Sequence, residues 1–289
     1  MGERIVVVTD SAASLPADVA AEHGIVVIPL SVIVDGEVFD EGVSISSGQV
    51  LDALEGGAAV STSQPATAAF TQAYRDAEAA GAESVVMIAL SAHLSGTVDS
   101  ARAAAREVSI PVDVVDSGSV AMATGFAAMA AARAVRAGYA RDRVVEIARQ
   151  VAESAVCVFT VDTLEYLRRG GRISSAAATV GRMLSVKPVL EITDGQPHVT
   201  HKVRSTARAR DAVLVRAEAA VDAAADPAVA VMTLGEPSFG DDAVRALRMH
   251  HHQLSALVTS TVSSVLAVHS GPGALAVVVA DMAPLAVAE

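Results

Sequence analysis

Hydroxyl side chains recur where apolar runs end in this chain, and there the first chemistry is visible. Val85-Val86-Met87-Ile88-Ala89-Leu90 reads as a buried strand that empties into a polar loop, Ser91 to Thr97, before a helical pattern resumes at Ala101. Ser95-Gly96-Thr97 offers two hydroxyls, and backbone N–H groups that approach a guest closely because Gly96 has no side chain. A small anion, a carboxylate or a phosphate, suits such a loop. More often a Ser or Thr ahead of a helix is simply its cap. Ser61-Thr62-Ser63-Gln64-Pro65 and Asp116-Ser117-Gly118-Ser119 are further polar loops of this kind.

His269 precedes Gly271-Pro272-Gly273. An imidazole there holds an anion, orients a hydroxyl, or only packs. Ser95 and His269 make a nucleophile–base pair only if the fold joins them, and no G-x-S-x-G turn marks a hydrolase. Arg168-Arg169-Gly170-Gly171-Arg172 is the densest basic cluster, either a solvated turn or a contact for an anion or a partner. His250, His251 and His252 point about 100° apart on a helix, so they do not converge on one metal ion and read as a solvated face. Cys157, between Ala155-Val156 and Val158-Phe159, reads as core packing. Neither G-x-x-x-x-G-K-[ST] nor a G-x-G-x-x-G after the first strand occurs, which argues against autonomous ATP or dinucleotide use.

The elements that must position these groups follow from periodicity. Ile5–Val8, Ile25–Leu30, Val85–Leu90 and Val112–Asp116 read as strands, alternating with helices at 67–80, 120–137 and 141–152. Asp35-Gly36 marks a hairpin between Val32–Val34 and Val38-Phe39, and Ser46–Leu54 reads as a helix. Several strands ending in Ser, Thr or Asp suggest one shared rim of a parallel sheet, where ligands bind in open α/β folds. Beyond about residue 155 the pattern changes. Strands are expected at 156–161, 186–192, 198–203, 229–234, 256–261, 265–268 and 275–280. Helices are expected at Thr163–Leu167, from a Ser174-Ser175 cap to Met183, up to Ala225, and over 241–253. Residues 1–155 thus read as an α/β parallel-sheet domain and 156–289 as an α+β domain.

Bulk properties narrow the function. A net charge of −12, only 3% aromatic residues and no Trp argue against nucleic acid or an anionic membrane as the main partner. A single cysteine excludes an internal disulfide and suits a reducing, cytoplasmic setting. No secretory signal is visible at the start, and Val120–Ala132 is too short to span a bilayer.

Taken in order, the polar loops resemble the DegV family over nearly the whole chain. The matching pieces are Thr9-Asp10-Ser11, Ser61-Thr62-Ser63-Gln64-Pro65, Leu94-Ser95-Gly96-Thr97 and Asp116-Ser117. They continue through Leu164–Ile173, Lys187-Pro188, Lys202-Val203-Arg204 and His269–Leu275. Two departures are Val98, where the family usually has an aromatic that would shape the pocket wall, and Ser270, where it usually has Thr.

The resemblance implies a two-domain fold, a three-layer α/β/α domain plus a two-layer α+β domain, with a long-chain fatty acid between them. It implies a carrier rather than an enzyme, with no cofactor. Its carboxylate is presented to a separate ATP-dependent fatty-acid kinase that serves phospholipid synthesis, and transient membrane contact is compatible with that role. By this likeness Thr62, Ser95 and the Gly96 N–H bind the carboxylate, His269 completes the network, Arg204 is a supporting charge, and Arg172 belongs to the kinase-docking surface. The competing reading is an enzyme on a related fold, a serine hydrolase or a dihydroxyacetone-kinase-like subunit.

Overall fold

The computed structural model describes residues 3–63, 66–173, 186–236 and 238–285. The expected Ser174-Ser175 cap and its helix, and Gln64-Pro65, lie outside the described residues.

The first sheet is parallel, in the order β2-β1-β6-β7, from β1 (Ile5–Asp10), β2 (Val26–Ile28), β6 (Ser84–Ala89) and β7 (Val112–Asp116). Its central strands are apolar on both faces because both are covered. Val8, Val85, Met87 and Ala89 pack under α3 (Thr67–Ala79) and α4 (Thr97–Ala105), against Phe70, Tyr74 and Ala101. Ile5, Val7, Val86 and Ile88 face α5 (Met122–Arg136) and α6 (Arg141–Ser154). The result is the expected α/β/α sandwich. Val98 lies in the α3–α4 layer, on the side of the sheet away from the cavity described below, so this departure does not reshape the pocket wall.

The second sheet has six strands in the order β10-β9-β8-β13-β11-β12. They are β8 (Val156–Thr160), β9 (Lys187–Thr193), β10 (Gln196–Val203), β11 (Pro227–Thr233), β12 (Ala256–Thr261) and β13 (Leu275–Asp281). All neighbours are antiparallel except β11 and β12. Alternation along β13 separates two cores. Leu275, Val277 and Val279 pack beneath α8 (Thr206–Ala223) and α9 (Ser238–His250), whereas Ala276, Val278 and Ala280 face the core shared with α5 and α6.

A small antiparallel sheet, β4-β3-β5, joins β3 (Ser31–Val34), β4 (Glu37–Asp40) and β5 (Val60–Ser63). β5 corrects the loop expected at Ser61–Ser63. Ser and Thr there accept ladder bonds to β3, with Thr62 opposite Val32. α2 (Ser47–Glu55) starts with a capping box in which Ser46 and Gln49 satisfy each other's backbone N–H. The short segment α7 (Glu165–Arg169) follows β8.

One expected strand is a helix. Val265-Leu266-Ala267-Val268 lies within α10 (Ser264–Ser270). A four-residue apolar run does not distinguish strand from buried helix by periodicity alone. Here the run packs between α2 and α7 rather than pairing with a sheet. The histidine run is largely the solvated face expected, with His250 and His252 exposed and His251 half-buried. His250 Nδ1 lies 2.6 Å from Glu218 of α8, and His251 Nδ1 lies 3.6 Å from Asp222, so two of the three face the neighbouring helix.

Candidate ligand cavity between the two sheets

The rim expected at the ends of the parallel strands is present. Asp10 closes β1, its carboxylate accepting from Leu90 N at 2.8 Å and Ala12 N at 3.0 Å. Burial raises its pKa to about 7. Asp116 closes β7 and accepts from Gly118 N at 2.9 Å. These carboxylates organise loops and do not line the cavity.

That cavity opens beside the rim, between the two sheets. Its empty space, mouth included, is about 930 Å³. The wall is Leu30, Leu90, Leu94, Val120 and Ala121 from the first half, and Cys157, Phe159, Ile192, Pro197, Met232, Val262, Val265, Ala274 and Ala276 from the second. Cys157, expected in the core, forms part of this wall with its thiol pushed up to about 12 by burial. Ala121 has φ 58° and ψ −150°, a region normally left to glycine, and is held there by its N–H bond to Ala12 O.

The polar lining residues are Thr62, Ser63, Ser95, Arg172, His269 and Ser270. Two of them, Thr62 and His269, are bonded to each other. Thr62 Oγ1 lies 2.9 Å from His269 Nε2. Gly170 lies against the Nδ1–Cε1 edge of the His269 ring, where a Cβ would stand 2.1 Å from Nδ1. The Gly170 carbonyl accepts from the Arg172 guanidinium, which also donates to Leu94 O at 3.2 Å. Ser95 follows Leu94, its Oγ 2.9 Å from Thr97 Oγ1 and accepting from Thr97 N at 3.3 Å. The Ser95 hydroxyl therefore supports the start of α4 while facing the cavity.

Burial first, and Arg172 second, lower His269 to about 4, so the ring is neutral at pH 7. Among the described residues, its Nδ1 is buried without a partner. An orphaned lone pair costs less than an orphaned N–H, so the proton belongs on Nε2. Nε2–H then donates to Thr62, which leaves the Thr62 hydroxyl proton free to donate to an anion.

The structure therefore brings Thr62, Ser95, His269 and Arg172 to one cavity. Arg172, expected on an outward docking surface, is half-buried and lines it. The outward charges of its cluster, Arg168 and Arg169, pair with Glu165, which they hold at about 2. Gly96 starts α4 with an ordinary φ of −73° and is not a wall residue. Arg204 is exposed beyond the end of β10 and is also outside the wall. Ser95 and His269 bond to Thr97 and Thr62 respectively, so they do not form the nucleophile–base pair considered above. Ser63, Ser270 and Cys157 were not singled out as site residues; adjacency to Thr62 and His269 was the available signal for the first two.

The DegV family, described as an uncharacterised protein family, matches residues 4–281. A DegV domain-containing protein of Streptomyces coelicolor is 41% identical over 283 residues, covering 97% of this chain and all of that one. The chain belongs to the DegV family. Among DegV structures, a fatty-acid-binding protein from Thermus thermophilus superposes with a TM-score of 0.90 at 29% identity, covering 96% of this chain and 99% of its own. DegV from Bacillus subtilis, a fatty-acid-binding protein, gives 0.88 at 27% identity with the same coverage. The two-domain DegV architecture is thus established for this chain. Among the described residues, no helix is long and apolar enough to cross a membrane.

Proposed function

We propose that this DegV chain holds a long-chain fatty acid in the cavity between residues 1–155 and 156–289, with the carboxylate at Thr62, Ser95, His269 and Arg172. The observation that carries the reading is an apolar cavity with a few polar groups in its wall, among them a neutral imidazole bonded to the Thr62 hydroxyl, and the Arg172 guanidinium. The fatty-acid binding of the Thermus and Bacillus proteins supports it. About 15 buried methylenes contribute roughly 12 kcal/mol gross, which ordering and association costs reduce heavily. The carboxylate loses its water and needs charged or strong donors in exchange. Thr62 and Ser95 donate from their hydroxyls, and Arg172 supplies the counter-charge. Arg172 thereby takes a ligand role in place of the partner-docking role expected from the resemblance. Gly96 and Arg204 are assigned supporting roles at most, through the start of α4 and through the long-range field.

On this reading the chain is a cytoplasmic carrier without a cofactor of its own. A separate ATP-dependent kinase acts on the presented carboxylate, and contact with a membrane is transient. Solvent extraction of the purified, denatured protein followed by mass spectrometry tests the ligand. Fatty acid at close to one per chain is expected, with Arg172→Ala retaining markedly less. No extracted fatty acid, together with no uptake of added palmitate or oleate, overturns the reading.

A further inference from the structure

Glu41 is a carboxylate that belongs neither to the cavity wall nor to the solvent. It follows β4 and is only 6% exposed. Its Oε1 accepts from Val265 N at 2.8 Å. Ser11 Oγ donates to its Oε2, and the same Oγ accepts from Leu30 N at 2.8 Å.

Val265 is the second residue of α10, whose own N-cap residue, Ser263, makes no side-chain cap bond to the helix. A side chain 224 residues away therefore does the capping. Two further bonds hold the same turn: Ser47 Oγ donates to Val262 O at 2.7 Å, and Ser263 N donates to Ser14 Oγ at 3.3 Å. The other end of α10 carries His269, bonded to Thr62. A helix of seven residues spans about 10 Å and is far too short to persist alone. Its direction is set by whatever holds its two ends.

We infer that Glu41 is a positioning residue for the anion-binding mouth: by capping α10 it fixes the His269 ring against Thr62. The ligand arm of the test rests on the fatty-acid reading; the imidazole arm does not.

The test compares Glu41→Ala and Glu41→Gln in the full chain. Gln retains an oxygen for Val265 N, and Ala does not. Imidazole ¹⁵N resonances of ligand-free protein are recorded, with the His269 signal assigned by its loss in His269→Asn. Release of a fluorescent fatty acid is timed in parallel. Glu41→Ala is expected to move the His269 resonances and to speed release about fivefold, the factor equivalent to ~1 kcal/mol of lost capping. Glu41→Gln restores both. Ser47→Ala, a milder change at the same turn, moves both in the same direction by less, and it decides the matter if Glu41→Ala does not fold. Val213→Ala, on the buried face of α8, lowers stability without moving either signal. Unchanged His269 resonances in Glu41→Ala and Ser47→Ala, or an equal change in Val213→Ala, overturn the inference. If the parent protein takes up no fatty acid, the binding reading fails while the imidazole resonances still decide the role of Glu41.

Discussion

At the scale of single residues, the site depends on a histidine kept neutral. Burial and Arg172 lower His269 from 6.5 to about 4. The unfolded chain therefore binds a proton before the folded chain does, and folding stability falls as pH drops from about 6.5 towards 4. The full loss is roughly 3 kcal/mol by linkage. Asp10 acts in the opposite sense. Its pKa is raised from 3.8 to about 7, so protonation between those values favours the folded chain. The contribution of His269 must therefore be read as a difference. Urea unfolding of the parent and of His269→Asn, at pH 7 and at pH 4.5, is expected to show a smaller acid loss in the variant. Equal losses would mean that the imidazole does not carry this linkage.

Among the elements, the β9–β10 hairpin has the most exposed task. Asp194 and Gly195 both have positive φ, 50° and 76°, the pair of values that a tight Asp-Gly hairpin turn requires. The turn brings Ile192 and Pro197 over the cavity. Its tip is held across the two halves of the chain by Ser91 Oγ, which donates to Gly195 O at 2.8 Å. A Cβ on Gly195 would stand 2.5 Å from that Oγ and 2.8 Å from His93 Cδ2. Gly195→Ala thus combines a strained φ with a collision at the tip. A cost of about 1–3 kcal/mol is expected from the backbone alone, seen as a lower thermal midpoint. Faster exchange of bound fatty acid should accompany it, because the hairpin no longer seats against Ser91. An unchanged midpoint and exchange rate would show that the tip is not under this constraint.

The whole molecule is built around one apolar region bounded by both sheets. The inner faces of β8, β11 and β13 and the helices α5 and α6 contribute to a single core, and the cavity is an opening in it. An acyl chain in that opening completes the core rather than decorating the surface. Ligand binding should therefore appear as global stability. At a free concentration one hundred times Kd, about 2.7 kcal/mol is gained, which raises the midpoint of a domain-sized protein by roughly 5–10 °C. Delipidated protein titrated with oleate, followed by differential scanning calorimetry, checks this. A midpoint independent of added oleate would show that the folded chain does not bind it.

Local pattern alone determined much of this protein. The alternation of strands and helices, and Ser95 and His269 as candidates, are legible in the chain, whereas Thr62 became a candidate only through the resemblance to the DegV family. Each rests on short-range periodicity or on a residue type that is uncommon where it stands. What only the tertiary structure decided depends on contacts between distant segments. Val265–Val268 is helix where it packs between α2 and α7, with Val265 N bonded to Glu41 from 224 residues away. Ser61–Ser63 is strand because β3 offers it a partner. Arg172 faces the cavity because the carbonyls of Leu94 and Gly170 hold its guanidinium there, while Arg204 has no such bond among the described residues and is exposed. The sign and address of a charge can be read in sequence; the direction in which a long side chain points is set by acceptors that folding brings to it.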